Sequence, residues 1–102
     1  MQKTIALVHP GEMGAAIGAG LVSRGYHAVW ASAGRGASTR RRAEDCGLED
    51  VDTLARAAQA ADIVFSVCPP HAAMELARAV AACGLIILFV EVERVVVLFA
   101  AR

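Results

Sequence analysis

The chain has 102 residues, 57% of them hydrophobic, with ten Lys and Arg balanced by ten Asp and Glu. That length suits one domain with a real core and is too short for a cofactor domain plus a separate catalytic domain. Zero net charge speaks against a nucleic-acid surface, which draws its affinity from an excess of Lys and Arg, and the apolar content speaks against disorder.

Thr4-Ile5-Ala6-Leu7-Val8 is an apolar run stopped by His9-Pro10-Gly11, the pattern of a buried strand delivered into a tight turn. Met13, Ala16, Ile17, Leu21 and Val22 then recur at helical spacing, and Gly25 is placed to close that helix after Arg24. Residues 27–31 predict a second strand, 32–39 a Gly/Ser-rich loop carrying Arg35, and 40–46 a short charged helix. Residues 47–51 offer at most a very short third strand. Asp52 opens an Ala-rich helix running to Ala61, and the continuous apolar strand 63–68 stops at Pro69-Pro70. Pro70 suits the first turn of the next helix, where its missing N–H costs nothing. Met74, Ala77, Val80 and Ala81 give that helix an apolar face, Gly84 ends it, and 85–90 form a last strand. Near-continuous apolar strands alternating with helices predict an α/β class: a Rossmann-type three-layer fold with a mostly parallel sheet, incomplete at the C terminus.

Cys46, Cys68 and Cys83 are widely separated and form no CxxC pair, which argues against a disulfide framework or a structural zinc site and fits a reducing compartment. The first apolar run is too short for a signal peptide. The uncharged run 79–90 contains Gly84 and falls short of the roughly 20 residues a spanning helix needs. A cytoplasmic protein without metal, membrane or nucleic-acid partner is expected.

Between the first strand and first helix lies His9-Pro10-Gly11-Glu12-Met13-Gly14. A dinucleotide fingerprint asks for G-x-G-x-x-G there, and the second and third glycines are present while histidine stands at the first. Gly11 would let the backbone approach a pyrophosphate, Gly14 would let the helix lie close to the strand, and the helix N terminus would supply N–H groups to the anion. The alternative is an ordinary glycine turn with tight packing. His9 reads as a hydrogen-bonded residue of the turn or a cofactor-lining one, His71 as a surface residue and His27 as structural.

An NAD site keeps an acid about 20 residues past the fingerprint for the ribose 2′-hydroxyl, and a 2′-phosphate calls for an arginine instead. No acid occurs between Glu12 and Glu44. The loop offers Ser32, Gly34 and Arg35, followed by Ser38, Thr39 and Arg40, which is phosphate chemistry. NADP is the expected cofactor and NAD the alternative, and Arg41 and Arg42 read as a solvated basic helix start. Val67, Cys68, Pro69 and Pro70 arrive at the carboxyl end of their strand, where ligands of parallel sheets bind.

HPGEMGAAIGAGLVSRGYHAVWASAGR and DIVFSVCPPHAAMELARAVAACG resemble the N-terminal coenzyme domain of the 6-phosphogluconate dehydrogenase and 3-hydroxyisobutyrate dehydrogenase family. The resemblance implies that Gly11, Met13 and Gly14 belong to the nucleotide-binding turn, that Arg35 matches the 2′-phosphate-binding region, and that residues 67–70 lie beside the nicotinamide ribose. It implies residues 1–93 as an NAD(P)-binding domain, 94–102 as a divergent apolar tail, and the family's C-terminal catalytic helical domain as absent. The family's substrate element aligns with Glu91-Val92-Glu93, whose two carboxylates depart from a neutral pattern, and the chain alone is expected to lack turnover. The function this implies is cofactor binding for an oxidoreductase of a small hydroxy acid. Two alternatives stay open: a non-catalytic nucleotide-binding or self-associating remnant, forming a homo-oligomer through its apolar C-terminal stretches, and a domain of an imine or deazaflavin-dependent NADP reductase.

Overall fold

In the computed structural model, which describes residues 3–8, 10–68, 70–92 and 95–101, strands and helices alternate as the hydrophobic pattern predicts. The order is β1 (Thr4–Val8), α1 (Glu12–Ser23), β2 (His27–Trp30), α2 (Ala37–Asp45), β3 (Glu49–Asp50), α3 (Leu54–Ala60), β4 (Ile63–Cys68), α4 (Pro70–Ala81), β5 (Ile86–Val92) and β6 (Val95–Ala101). The sheet runs β3-β2-β1-β4-β6-β5. β1 pairs in parallel with β2 and β4, and β2 with β3. β6 pairs antiparallel with both β4 and β5. This is an α/β fold with a mixed, mostly parallel sheet flanked by helices, in the partial Rossmann-type arrangement expected.

Strands buried on both faces explain the near-continuous apolar runs. Ala6, Val8, Val29 and Val64 pack with Ala57, Ala73, Leu76 and Val80 under α3 and α4, while Leu7, Ala28 and Trp30 pack with Ala43 and Leu48 on the α1 and α2 side. α1 ends in a left-handed Gly25, φ 89°, with Gly25 N–H donating to Val22 C=O and Tyr26 N–H to Leu21 C=O. That paired closure is the reason glycine stands there.

The faces of two helices differ from expectation. The apolar spacing of α1 predicts a face of Met13, Ala16, Ile17, Leu21 and Val22; Leu21 and Val22 are half-buried, yet Ala16 and Ile17 are exposed and Gly14, Ala15 and Gly18 are buried. Small residues win because the helix lies so close: a Cβ built on Gly18 falls 2.5 Å from Leu7 Cδ1 and 2.7 Å from Leu48 Cδ2. In α4 the buried set is Ala73, Leu76, Ala77 and Val80, and Met74 is 58% exposed. α3 is capped by Thr53, whose side chain accepts from Arg56 N–H, rather than by Asp52. Asp52 instead adopts φ 76° before it.

The third strand, Glu49–Asp50, is two exposed acidic residues long, the very short strand expected of residues 47–51. Residues 95–101, expected as a tail, supply the strand between β4 and β5. Val95 to Phe99 is β-branched and aromatic enough to complete the sheet, and Phe99 meets Phe65 edge to face at 5.0 Å. On the face without a helix, Ile86 and Leu88 remain 77% and 62% exposed. Among the described residues no helix is long and apolar enough to cross a membrane.

Gly18 and Gly20 provide opposite tests of the α1 contact. Gly18→Val is expected to cost about 1–3 kcal/mol through overpacking. Gly20→Ala, whose Cβ meets nothing within 4 Å, is expected to stabilise by about 0.5–1 kcal/mol. Urea unfolding of the two variants measures both.

Candidate functional site

The carboxyl ends of β1, β2 and β4 meet the N terminus of α1, the place where open parallel sheets bind ligands. Gly11 is the N-cap of α1, with extended backbone (φ −66°, ψ −170°) and no side-chain capping bond. The first helical N–H groups therefore lack a side-chain acceptor from the cap and carry the positive end of the helix dipole. A Cβ placed on Gly11 meets nothing within 4 Å, so the space an anion would take beside the turn is open. Glu12 and Met13 contribute the backbone of the first turn, and Gly14 is buried against the sheet. His9 and Pro69 lie outside the described residues.

The turn is held from a side the sequence did not suggest. Pro10 is fully buried, and Arg42 of α2 donates through Nη1 to the Pro10 carbonyl at 3.3 Å. Arg42 is half-buried, so the expectation of a solvated arginine there is corrected. The contact is invisible in sequence because it joins residues 32 positions apart. Arg41, by contrast, is exposed.

After β2 the chain makes a tight turn in which Arg35 N–H donates to Ser32 C=O at 2.9 Å. Gly34 takes the third position with φ 78°, a conformation that calls for glycine, and this aims Arg35 outward. Arg35 is exposed and lines a cleft of about 320 Å³ with Val8, Ala31, Ala33, Leu54 and Leu76. That volume lies at the lower end of ligand pockets, roughly 300–1,000 Å³. Its lining joins the ends of β1 and β2 to one face of α3 and α4, with Glu75 at its edge. A larger depression, about 670 Å³, lies at the opposite ends of the strands beside Lys3, Tyr26 and Asp62. The first cleft is the candidate, because Val8 and Ala31 place it at the carboxyl ends of β1 and β2.

Ser32 is not among the cleft's lining residues. It is 3% exposed and bonded to Asp50 of β3, which accepts from the Ser32 N–H at 3.3 Å and from the Asp52 N–H at 2.8 Å. Burial acts to raise the Asp50 carboxyl, but hydrogen bonds from the Ser32 hydroxyl and from the Asp52 and Ser32 N–H groups, with Arg40 nearby, outweigh it and hold it below the ordinary 3.8. Counting acids along the chain after the fingerprint does not reveal Asp50, which the parallel register sets opposite Trp30 at the end of β2.

Val67 is half-buried, Cys68 is 3% exposed within the core under α4, and Pro70 opens α4. His71 is exposed in the first turn of that helix. His27 ties three strands together, its Nε2 lying 2.8 Å from Glu49 Oε2 and its Nδ1 3.3 Å from Thr4 Oγ1. Among the described residues no group of three or more His, Cys, Asp or Glu is arranged to hold a metal ion.

The fold is a partial Rossmann-type domain, and the comparisons make it a nucleotide-binding, oxidoreductase-like one. The chain belongs to the family described as NADP oxidoreductase coenzyme F420-dependent, whose model matches residues 4–90. It is also similar in structure to the conserved protein MTH1747, of unknown function, whose own description notes structural similarity with 3-hydroxyacid dehydrogenases. The TM-score is 0.72 at 25% identity, with 78% of this chain and 30% of that one covered. The chain thus spans under a third of that protein's length. No curated protein matches it. The family match favours the deazaflavin-linked alternative over the 6-phosphogluconate dehydrogenase branch suggested by the sequence.

Because the Asp50 carboxyl is lowered in the folded protein, it stabilises the fold above its unfolded value and loses that contribution as pH falls through its native value. Asp50→Ala is expected to lower the urea midpoint at neutral pH, with a deficit that shrinks as pH is taken downward from 3.8. Urea titrations of both proteins across that range measure the convergence.

Proposed function

We propose that the domain binds NADP(H) for a reductase of the deazaflavin-linked type. The observation that carries this reading is the open Gly11 turn at the uncapped start of α1, with Arg35 lining the cleft at the carboxyl ends of β1 and β2. The N–H groups of Glu12, Met13 and Gly14 would hold the pyrophosphate, and Arg35 would hold the 2′-phosphate. Residues 67–70 would lie toward the nicotinamide ribose. When bound, the nicotinamide supplies or accepts a hydride. The chain's own part is to bind and orient it: Arg42 fixes the turn, and the apolar walls from Val8, Leu54 and Leu76 exclude water. A small hydroxy acid as the hydride partner is the second reading, and the likeness to MTH1747 is what favours it.

Gly11→Val is expected to leave a cooperatively folding protein, because its backbone is extended and its surroundings are open, while removing affinity for both NADPH and NADH. Arg35→Ala is expected to weaken NADPH by about tenfold to a hundredfold, the scale of one charge-assisted contact, and to leave NADH nearly unchanged. Calorimetric titration of the two nucleotides decides it. Full nucleotide affinity in Gly11→Val overturns the assigned turn, and an unchanged NADPH to NADH ratio in Arg35→Ala overturns the assigned arginine.

A homo-oligomer belongs to the same proposal. β5 pairs only with β6 among the described residues, and Ile86 and Leu88 are exposed beside that open edge, the arrangement that favours edge-to-edge association. Leu88→Lys is expected to reduce a concentration-dependent rise in light scattering, and a monomer at every concentration of the unsubstituted chain overturns the association.

A further inference from the structure

Arg35, Ser32 and Arg40, the residues after β2 with phosphate chemistry, are placed differently. Arg35 faces the cleft. Asp50 engages the other two, since its carboxylate takes the Ser32 hydroxyl and N–H and its Oδ2 lies 3.7 Å from Arg40 Nη1. The Asp50 side chain is 38% exposed, so its charge is felt in solvent as well as by these partners. Its position is fixed twice, by the pairing of Trp30 with Asp50 and by the Asp52 N–H bond to the same carboxylate. Ala33 N–H in turn donates to Asp52 C=O at 2.8 Å, which ties the loop after β2 to the residues that follow Asp50.

Resting on the dinucleotide reading above, we propose that Asp50 is a specificity-determining residue that restrains preference for the 2′-phosphorylated nucleotide. It does so by holding the Ser32 hydroxyl and Arg40 in its own contacts and by setting a negative charge beside the phosphate position. Arg35 is then left as the principal phosphate contact. A carboxylate near a ribose edge is compatible with an unphosphorylated 2′-hydroxyl and repels a dianionic phosphate. In this domain the acid reaches that place from β3 instead of from the end of β2. Neutralising it should therefore act on one nucleotide and not on the other, which separates this role from a purely structural one. Loss of a structural tie would loosen the loop and weaken both.

The test is calorimetric titration of NADPH and NADH into the full chain and into Asp50→Asn, which keeps an acceptor for the Ser32 and Asp52 N–H groups. Asp50→Asn in an Arg40→Ala background is the second comparison. NADPH is expected to tighten about three- to tenfold, the scale of a partly screened charge contact, with NADH unchanged or slightly weaker. The NADPH gain should be smaller in the Arg40→Ala background, where no arginine remains to be released. An unchanged NADPH to NADH ratio in Asp50→Asn, or equal shifts of both nucleotides, overturns the role of Asp50 while leaving the dinucleotide site intact. Absence of binding by either nucleotide to the unsubstituted chain overturns the dinucleotide reading, and this inference with it.

Discussion

A Cβ at Gly18 would stand 2.5 Å from Leu7 and 2.7 Å from Leu48, and the absence of that one carbon lets α1 lie directly on the sheet. Leu7 belongs to β1, and Leu48 precedes β3, so the contact gathers both parts of the chain that bear the candidate site. With α1 pressed this close, its first turn follows directly on the end of β1. A larger residue would push the helix outward, moving the anion position relative to Arg35 even if every other contact survived. The packing of a buried glycine and the geometry of the Gly11 turn are therefore one constraint.

A second tie works from the other side. The loop after β2 has little apolar anchorage of its own: Ala33, Gly34, Arg35 and Gly36 are all exposed. Its order comes from polar bonds to the segment after β3, namely Ala33 to Asp52, Ser32 to Asp50 and Val51 N–H to Trp30 C=O at 2.8 Å. A strand of only two residues is thereby sufficient to hold the loop. The positive φ of Asp52 is understandable in the same terms, since an aspartate tolerates that region better than most residues and the turn lets its carbonyl meet Ala33.

The sequence showed most of the element order because strands buried on both faces are apolar throughout, while turns carry glycine or proline. Thr4 to Val8 and Ile63 to Cys68 are of this kind, and so is the closure at Gly25. What it concealed depends on packing distance or register. The apolar periodicity of α1 pointed to Ala16 and Ile17, because counting apolar residues treats a glycine as a gap when here it is the contact itself. Met74 was misplaced for a related reason: α4 is apolar over more than one face, and periodicity alone does not choose among them. Asp50 and Arg42 act on residues 18 and 32 positions away, distances at which linear spacing carries no information. His9 and Pro69, two residues of the expected site, lie outside the described residues, so the turn rests on Gly11 and the helix that follows it.

β6 changes the other half of the sheet, where the resemblance aligns a substrate element. Its register sets Val96 opposite both Cys68 and Glu91, so Glu91 lies level with the end of β4 but one strand removed. Strands are spaced by roughly 4.8 Å, which puts the β5 backbone roughly 10 Å from β4 instead of next to it. Glu91 and Val92 begin the triplet that the resemblance aligns with a substrate element, and here both are within β5, while Glu93 lies outside the described residues. The inserted antiparallel strand therefore takes the place beside Cys68 that β5 would hold in an all-parallel sheet. β1, β2 and β3 lie on the other side of β4 and, among the described residues, make no pairing with that insertion, whereas Val67 and Cys68 of β4 pair with Val97 and Val96 of β6. On the proposed reading, the first turn of α1 and the segment that the resemblance aligns with a substrate element thus belong to separate parts of one sheet, and only the second is displaced by β6.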